Sequence, residues 1–384
     1  MNTPKSIANI DAFLEWERKS NLWSVTLLGY PIYAGVRRRM YHLRLSDRVI
    51  DNQPGGARKT GSLVDMPRKL CRTIAAILTK RQVSDIVVVH ERSDSASADP
   101  YLKGTYGQAQ SFIPAYYNNR NRELADGIDL DLLRYASLIV GLPIFFLPAL
   151  AKMFGNGSPI LVPALFQSGD VLYYLLCRLI FRRVGVQTAA LTVSYSHYPL
   201  IVAAKREKVK VVEYQHGMIS RHHIGYSGLP ELLKPDRLEC LDEIWKEQAL
   251  ALGFCATCTS PKFPIATRSA LPLDNKEIRA LIVGQTSLTN FMQNKAKSLK
   301  SQYGTVRYRP HPTEKYENES VQICEHTGEP FGEVIRHYDL FVGVYSTALY
   351  EAWFAGKNVL ILDHPMNEFF DVLQGRAGVN YEVS

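Results

Sequence analysis

Short apolar runs alternate with amphipathic segments along most of the chain. Val-, Ile- and Leu-rich runs predict buried strands at 85–90, 209–213, 279–283, 306–308, 339–344 and 358–362. A further strand is predicted at 189–194, and weaker strand signals lie at 111–117 and 137–140. Helical spacing predicts helices at 170–183, 199–207, 288–303 and 348–355. Asp170 is a plausible N-cap of the first of these helices. Strands that alternate with helices indicate an α/β protein with parallel sheets.

The alternation is interrupted twice. Residues 1–80 are basic and predicted helical at 10–19 and 33–45, and residues 227–278 are punctuated by Gly and Pro, which indicates a domain junction. The 384 residues suffice for two domains of ordinary size. We therefore predict an N-terminal α/β domain at 1–235, with the basic helical segment, and a C-terminal α/β domain at 236–384.

Composition narrows the class of protein. The chain is 46% hydrophobic, 21% charged and has a formal net charge of +8, which excludes a disordered chain and suits an anionic partner. Arg37, Arg38 and Arg39 adjoin aromatic residues, so they form either a solvated helix face or a contact for anionic headgroups. The apolar run 135–151 is too short to span a bilayer and contains two prolines. It is either a buried segment or a membrane-surface patch.

The sequence lacks the motifs of several kinds of functional site. The six cysteines are scattered and no secretory signal is visible, which favours a reducing cytoplasm. Cys255 and Cys258 form a single CxxC pair without a second ligand pair, and the histidines have the spacing of no common metal site, so no metal and no cofactor are expected. The chain contains no phosphate-binding P-loop, no GxGxxG fingerprint and no nucleic-acid motif.

Polar residues follow the predicted strands of the N-terminal domain. The strand at 209–213 runs into Glu213, Gln215, His216 and Gly217, at the strand end where α/β proteins bind their ligands. A histidine there can be a general base, with Glu213 or Gln215 to orient it; the alternative is a histidine packed at the sheet edge. Three more residues are candidates for the acceptor site: Glu91, His222 and His223.

The C-terminal domain repeats this layout. Ser346 and Thr347 lie between a strand and a helix start, where unpaired N–H groups attract phosphate, although a plain helix cap is the simpler interpretation. His311 is held between two prolines and Arg309 supplies a cation. Glu351, four residues after Thr347, could bind a ribose. Gln285 and Thr286, at the end of the strand 279–283, complete the candidate nucleotide site.

Three segments resemble motifs of the GT-B glycosyltransferases of bacterial capsule and O-antigen synthesis. Val212–Gly217 is similar to the E-x-Q-H-G segment of that family, Tyr308–Glu314 to K/R-x-H-P-x-E, and Tyr345–Ala352 to S-S/T-x-x-x-E-A. Related motifs occur in sialyltransferases, Kdo transferases and teichoic-acid glycerophosphotransferases. The resemblance covers roughly residues 185–365, and the N-terminal third matches only in general style.

The resemblance implies a fold and an activity. The fold is GT-B-like, with two Rossmann-like domains facing across a cleft. The activity is inverting, metal-independent transfer of a sugar from a nucleotide donor to a hydroxyl of a lipid-linked surface polysaccharide. Carried over, His216 is the base, His311, Ser346 and Thr347 bind phosphate, and Glu351 holds the ribose. The long C-terminal helices usual in the family are expected to be short or absent, because the chain stops at Ser384.

The resemblance also implies a place in the cell and leaves alternatives open. The enzyme is expected in the cytoplasm, on the inner face of the bacterial inner membrane, with other polysaccharide-assembly enzymes as partners and no nucleic acid. One alternative is transfer of a CMP-linked acidic sugar (Kdo or sialic acid) or of glycerol phosphate from CDP-glycerol. The others are a non-catalytic nucleotide-sugar-binding partner and a basic, membrane-associated assembly factor.

Overall fold

Two compact units, divided near residue 259, make up the computed structural model of this protein. The structure describes residues 10–44, 75, 85–90, 112–117, 128–129, 161–215, 217–258, 276–285, 288–311, 314 and 322–382. Each unit is built on a sheet whose strands are all parallel.

The first unit begins with helices and then forms the larger sheet. Its helices are α1 (Ile10–Ser20), α2 (Tyr33–Arg44), α3 (Leu161–Val184), α4 (Tyr198–Arg206) and α5 (Glu243–Ala251). Its strands are β1 (Thr26–Leu27), β2 (Tyr30–Pro31), β3 (Asp85–His90), β4 (Phe112–Tyr117), β5 (Ile128–Asp129), β6 (Thr188–Leu191), β7 (Lys210–Tyr214), β8 (Arg237–Cys240) and β9 (Ala256–Cys258).

The strand order of the first sheet defines where a ligand can bind. Its seven strands run β5-β4-β3-β6-β7-β8-β9, so the chain leaves β3 in one direction and returns to its other side with β6. This reversal is a topological switch point, and ligands of open α/β sheets bind at the carboxyl ends of the strands beside it. Both faces of the sheet are covered at β6 and β7, because Ala189 and Ala190 on β6 and Val211 on β7 are completely buried.

A buried ion pair fastens the N-terminal helices to the loop that follows β7. Arg37 on α2 is 1% exposed and donates from Nε and Nη2 to the two carboxylate oxygens of Glu17 on α1, at 2.6 and 2.8 Å. Its Nη1 and Nη2 also donate to the carbonyl oxygens of Ile224 and Ser227, at 2.6 and 2.7 Å. Ile224 packs with α1 and α2 through Ile10, Phe13 and Tyr41.

The second unit is a smaller sheet of the same kind. Its strands are β10 (Arg279–Val283), β11 (Thr305–Arg309), β12 (Leu340–Gly343), β13 (Asn358–Ile361) and β14 (Val379–Tyr381). Its helices are α6 (Thr289–Leu299), α7 (Phe331–Val334) and α8 (Thr347–Phe354). The order β11-β10-β12-β13-β14 places a switch point between β10 and β12.

The core of the second unit explains its apolar strands. Ala280 and Ile282 pack on one side of β10 against Met292 and Ala296 of α6. Leu281 between them is also completely buried, so both sides of the strand are covered. A strand buried on both sides reads as a continuous apolar run, which is why this sequence predicts it well.

The structure confirms the predicted α/β class and its two parallel sheets and corrects three details. β8 and β9 belong to the first sheet, so the unit boundary near residue 259 replaces the one predicted after residue 235. Asp170 is not a helix cap, because α3 begins at Leu161. Arg37 is buried and cannot belong to a membrane-contacting surface. The predicted strand at 137–140 and the apolar run 135–151 lie outside the described residues.

Within the described ranges, no helix has both the length and the apolar character needed to cross a bilayer.

Breaking the Arg37–Glu17 pair should strongly destabilise the first unit. Replacing one partner leaves the other charge buried without compensation, which costs about 3–5 kcal/mol. We expect Glu17→Ala to lower the urea midpoint accordingly, measured by circular dichroism. The matched control is Glu15→Ala, which removes an exposed i,i+4 pair with Lys19 on the same helix and should change stability by less than about 0.5 kcal/mol. Equal effects of the two substitutions would contradict the anchoring role.

Candidate functional site

In the first unit, a buried carboxylate joins the ends of two neighbouring strands. Glu213 on β7 is 0% exposed. Its Oε1 accepts hydrogen bonds from the backbone N–H of Ser194, beyond β6, and from the hydroxyl of Tyr226, both at 3.0 Å. Its Oε2 has no hydrogen-bond partner among the described residues. Burial raises the pKa of this carboxyl from 4.5 to about 7, although the bonds from Ser194 and Tyr226 act to lower it.

The backbone is strained where it delivers the Ser194 N–H. Val193 has φ 56° and ψ 53°, the left-handed region that β-branched residues avoid. This conformation ends β6 and starts a short 3-10 turn at Ser194–Ser196. Such strain is held only where surrounding contacts enforce it, and it concentrates at functional sites.

A second buried side chain braces both sides of position 216. Gln215 is 1% exposed, its Oε1 accepts from the N–H of Leu241 at 2.9 Å, and its Nε2 donates to the carbonyl of Gly217 at 2.7 Å. The predicted base, His216, lies outside the described residues. The amide of Gln215 thus fixes the chain just before and just after position 216. The sequence predicted Gln215 only as a residue that could orient His216.

The predicted acceptor histidines lie on the loop that follows β7. His222 is buried and its Nε2 accepts from Nε of Arg221 at 2.9 Å. His223 is half-buried and its Nδ1 accepts from the N–H of Gly225 at 3.0 Å, while its ring packs against Tyr195 and Tyr226. The structure therefore brings His223 close to the Glu213 cluster through Tyr226. The third predicted acceptor residue, Glu91, falls outside the described ranges.

In the second unit, Gln285 links the two strands that flank the switch point. Gln285 follows β10 and is 6% exposed. Its Nε2 donates to the carbonyl oxygen of Tyr345, and its Oε1 accepts from the N–H of the same residue, at 3.1 Å. The amide thus fixes the backbone between β12 and α8. Thr286, predicted beside it, lies outside the described residues.

Fixing Tyr345 also fixes the start of α8. Ser346 is the N-cap of this helix, and its Oγ accepts from the N–H of Ala348 at 3.3 Å. Thr347 is the first helical residue, and Glu351 is half-buried one turn further on. The simple capping interpretation of Ser346 is therefore correct, and the helix start still offers its positive dipole end at the switch point.

Arg309 and His311 end the neighbouring strand β11, but they differ in what they contact. Arg309 donates from Nη1 to the carbonyl of His326 at 3.1 Å and from Nη2 to that of Glu329 at 2.9 Å, with its guanidinium over the ring of Phe331. This side chain is occupied by its own unit, which makes it the least supported of the predicted phosphate ligands. His311 is exposed at the strand end.

Three residues with evident roles here were not assigned by the sequence analysis. Ser194 and Tyr226 hold Glu213, and Glu314 contacts His311. The available signals were the strand end before Ser194, the aromatic residue in Gly225–Tyr226, and the acidic position of the second motif.

One histidine cluster has the composition of a metal site. Among the described residues, His326, Glu329 and His337 have ligand atoms within 4.8 Å of one another. Nδ1 of His326 lies 2.8 Å from Oε1 of Glu329, and the two imidazoles stack at 4.0 Å with planes only 9° apart. In-plane lone pairs of parallel rings do not converge on one ion, so the rings would have to turn before they could share a metal.

Comparison with known proteins found similar solved structures but no matching family. No protein-family model and no curated protein matches this chain. The similar solved structures include MurG of Acinetobacter baumannii (10% identity, 78% of this chain and 85% of that chain covered, TM-score 0.45). The spinosyn forosaminyltransferase SpnP (10%, 78% and 86%, 0.46) and UDP-GlcNAc 2-epimerase of Methanocaldococcus jannaschii (11%, 78% and 89%, 0.42) are also similar. These scores lie below 0.5, so we draw nothing about activity from them.

The buried carboxyl should make stability depend on pH. Glu213 keeps its proton in the folded protein up to about pH 7, whereas its ordinary pKa is 4.5. The folded state therefore binds more protons than the unfolded state between these values, and the free energy of unfolding falls as pH rises through this window. Glu213→Gln keeps an acceptor oxygen for Ser194 and Tyr226 and is always neutral. Its stability relative to the unmodified protein should increase from pH 5 to 7 and then level off.

Urea unfolding at four pH values between 5 and 8 measures this difference. Glu231→Gln, at an exposed position of the same unit, is the control for removing a carboxylate. A constant difference between Glu213→Gln and the unmodified protein across this range would show that Glu213 is ionised throughout.

Proposed function

We propose that this protein is a glycosyltransferase that moves a sugar from a nucleotide-activated donor to a hydroxyl of a lipid-linked bacterial surface polysaccharide. The observation that carries this proposal is the Gln285 bridge at the switch point of the second unit. It fixes the start of α8, which follows β12, next to the end of the adjacent strand β10. That position is where open α/β sheets bind nucleotides, with the phosphate at a helix start.

The second unit supplies the donor chemistry in this proposal. The N–H groups at the start of α8 and the hydroxyl groups of Ser346 and Thr347 bind the donor phosphates, and His311, which follows β11, adds a further donor group. Glu351, one turn into α8, accepts from the ribose hydroxyls. These groups stabilise the charge that develops on the departing nucleotide, which is the main contribution needed in a reaction of this class. No metal is required for it.

The first unit supplies the base. His216 takes the proton from the acceptor hydroxyl as that oxygen attacks the anomeric carbon, and a single base on the acceptor side suits inversion. Glu213 and Gln215 are buried, so in this proposal they hold the chain around position 216 in place and do not contact the acceptor. His223 and Glu91 are the remaining acceptor-side candidates, and His222 is less accessible.

A lipid-linked acceptor places the enzyme at the inner face of the cytoplasmic membrane, next to other polysaccharide-assembly enzymes. Arg38 on α2 is exposed and its guanidinium lies over the ring of Tyr195, so in this proposal it is one of the cations available to anionic headgroups. Arg37 is buried and is not available to them.

Nucleotide binding tests the donor site. UDP, TDP, CMP and CDP, titrated by calorimetry, should include at least one ligand of the unmodified protein. Ser346→Ala and His311→Ala should each weaken that ligand by about 10-fold or more, the value of hydrogen bonds to charged groups. Ser301→Ala, an exposed serine of the same unit, should leave affinity unchanged.

The panel also separates the alternatives. Preference for UDP or TDP supports transfer of a neutral sugar or uronic acid, whereas preference for CMP or CDP supports the acidic-sugar or glycerol-phosphate reaction. Binding of none of the four contradicts the proposed function.

Turnover tests the base. His216→Ala should reduce transfer of labelled sugar to lipid-linked acceptor by roughly 10²–10⁴-fold and leave nucleotide affinity nearly intact. His364→Ala in the second unit is the control histidine. Transfer within a few-fold of the unmodified protein would leave His216 a structural residue and make Glu91 the next candidate base.

A further inference from the structure

Glu314 makes a closed set of hydrogen bonds around the backbone of His311. Its Oε2 accepts from the N–H of His311 at 2.9 Å, and its own N–H donates to the carbonyl of His311 at 2.7 Å. Its Oε1 accepts from the hydroxyl of Tyr308 at 2.6 Å. Tyr308 is completely buried in the core of the second unit, so the carboxylate connects an exposed strand end to a fixed point.

The space for this carboxylate comes from β10. A Cβ atom at Gly284 would lie 2.3 Å from Oε2 of Glu314 and 2.9 Å from the carbonyl oxygen of Arg309. Any side chain at this position would therefore displace the carboxylate or the strand end. The two residues after β10 thus serve the two sides of the switch point, since Gly284 admits Glu314 and Gln285 fixes Tyr345.

A carboxylate beside a phosphate site calls for an explanation, because its charge repels the ligand. Here one carboxylate oxygen accepts from an N–H group and the other from an O–H group, and these bonds hold the backbone of an exposed histidine residue. Fixing the backbone that carries an exposed side chain before binding reduces the conformational freedom that is lost when the ligand binds. The geometry therefore indicates that Glu314 acts through its hydrogen bonds and not through its charge.

We propose that Glu314 is a positioning residue that fixes His311 at the end of β11 for contact with the donor's phosphate groups. The proposal rests on the proposed function, because it presumes that His311 binds a nucleotide phosphate. Glu314 itself does not touch the ligand.

A double-mutant cycle tests the proposal. Affinities for UDP, CMP and inorganic pyrophosphate are measured by calorimetry for the unmodified protein, Glu314→Ala, His311→Ala and the double variant. Glu314→Ala should weaken binding about 3- to 10-fold, and less than about 2-fold once His311 has been removed, because residues that act through one another are not additive. Circular dichroism and the thermal midpoint verify that each variant is folded.

Two further variants separate position from charge. Glu314→Gln keeps an acceptor for the His311 N–H, and its amide group can donate to Tyr308, so affinity should stay within about 2-fold of the unmodified protein. Glu325→Ala removes a carboxylate that is 74% exposed in the same unit and controls for the change in net charge.

The outcomes are distinct. Unchanged affinity in Glu314→Ala, equal losses in Glu314→Gln and Glu314→Ala, or additive losses with His311→Ala would each overturn the positioning role while the nucleotide site stands. Failure of the unmodified protein to bind any of the nucleotides or pyrophosphate would instead refute the proposed function, and the role of Glu314 with it.

Discussion

Parallel pairing of the strands is the constraint on which both units depend. In a parallel sheet every strand ends at the same edge, so residues far apart in the chain meet there without any direct link between them. Val283, Arg309 and Gly343 close three adjacent strands of the second sheet in this way. A reversal in strand order then opens a crevice at that edge. The chemistry of the protein is confined to positions that follow from this pairing.

In both units, polar side chains that bind backbone hold the strand ends. Gln285 uses both ends of its amide to fix a neighbouring strand end, and Gln215 uses one end for a neighbouring strand end and the other for the loop after its own strand. Glu213 and Glu314 each use a carboxylate oxygen to hold a backbone N–H. The backbone of a loop has few hydrogen-bond partners within the loop itself. A buried side chain that supplies these partners therefore holds the loop in one conformation. The residues proposed to contact the substrate are therefore different from the residues that hold them in position.

The sequence predicted those parts of the fold in which local pattern and burial agree. β10 is a continuous apolar run between turn residues, and its predicted ends match the observed ones. β8 escaped prediction because Arg237 and Glu239 lie within it, and these charges pair with each other at 2.6 Å, which no local pattern reveals. Likewise, polar strand ends identified the candidate site, but the partners of Glu213 and Gln285 lie 13 to 60 residues away and depend on strand order.

The anchor formed by Arg37 has a consequence for how the chain is made. Its carbonyl partners follow it by 187 and 190 residues, so during synthesis the N-terminal helices emerge long before the loop that completes them. Until residue 224 has left the ribosome, the guanidinium has only Glu17 among these partners. Contacts of such sequence separation form late and slow the folding of a domain. The first helices translated are thus among the last parts of the first unit to reach their final packing.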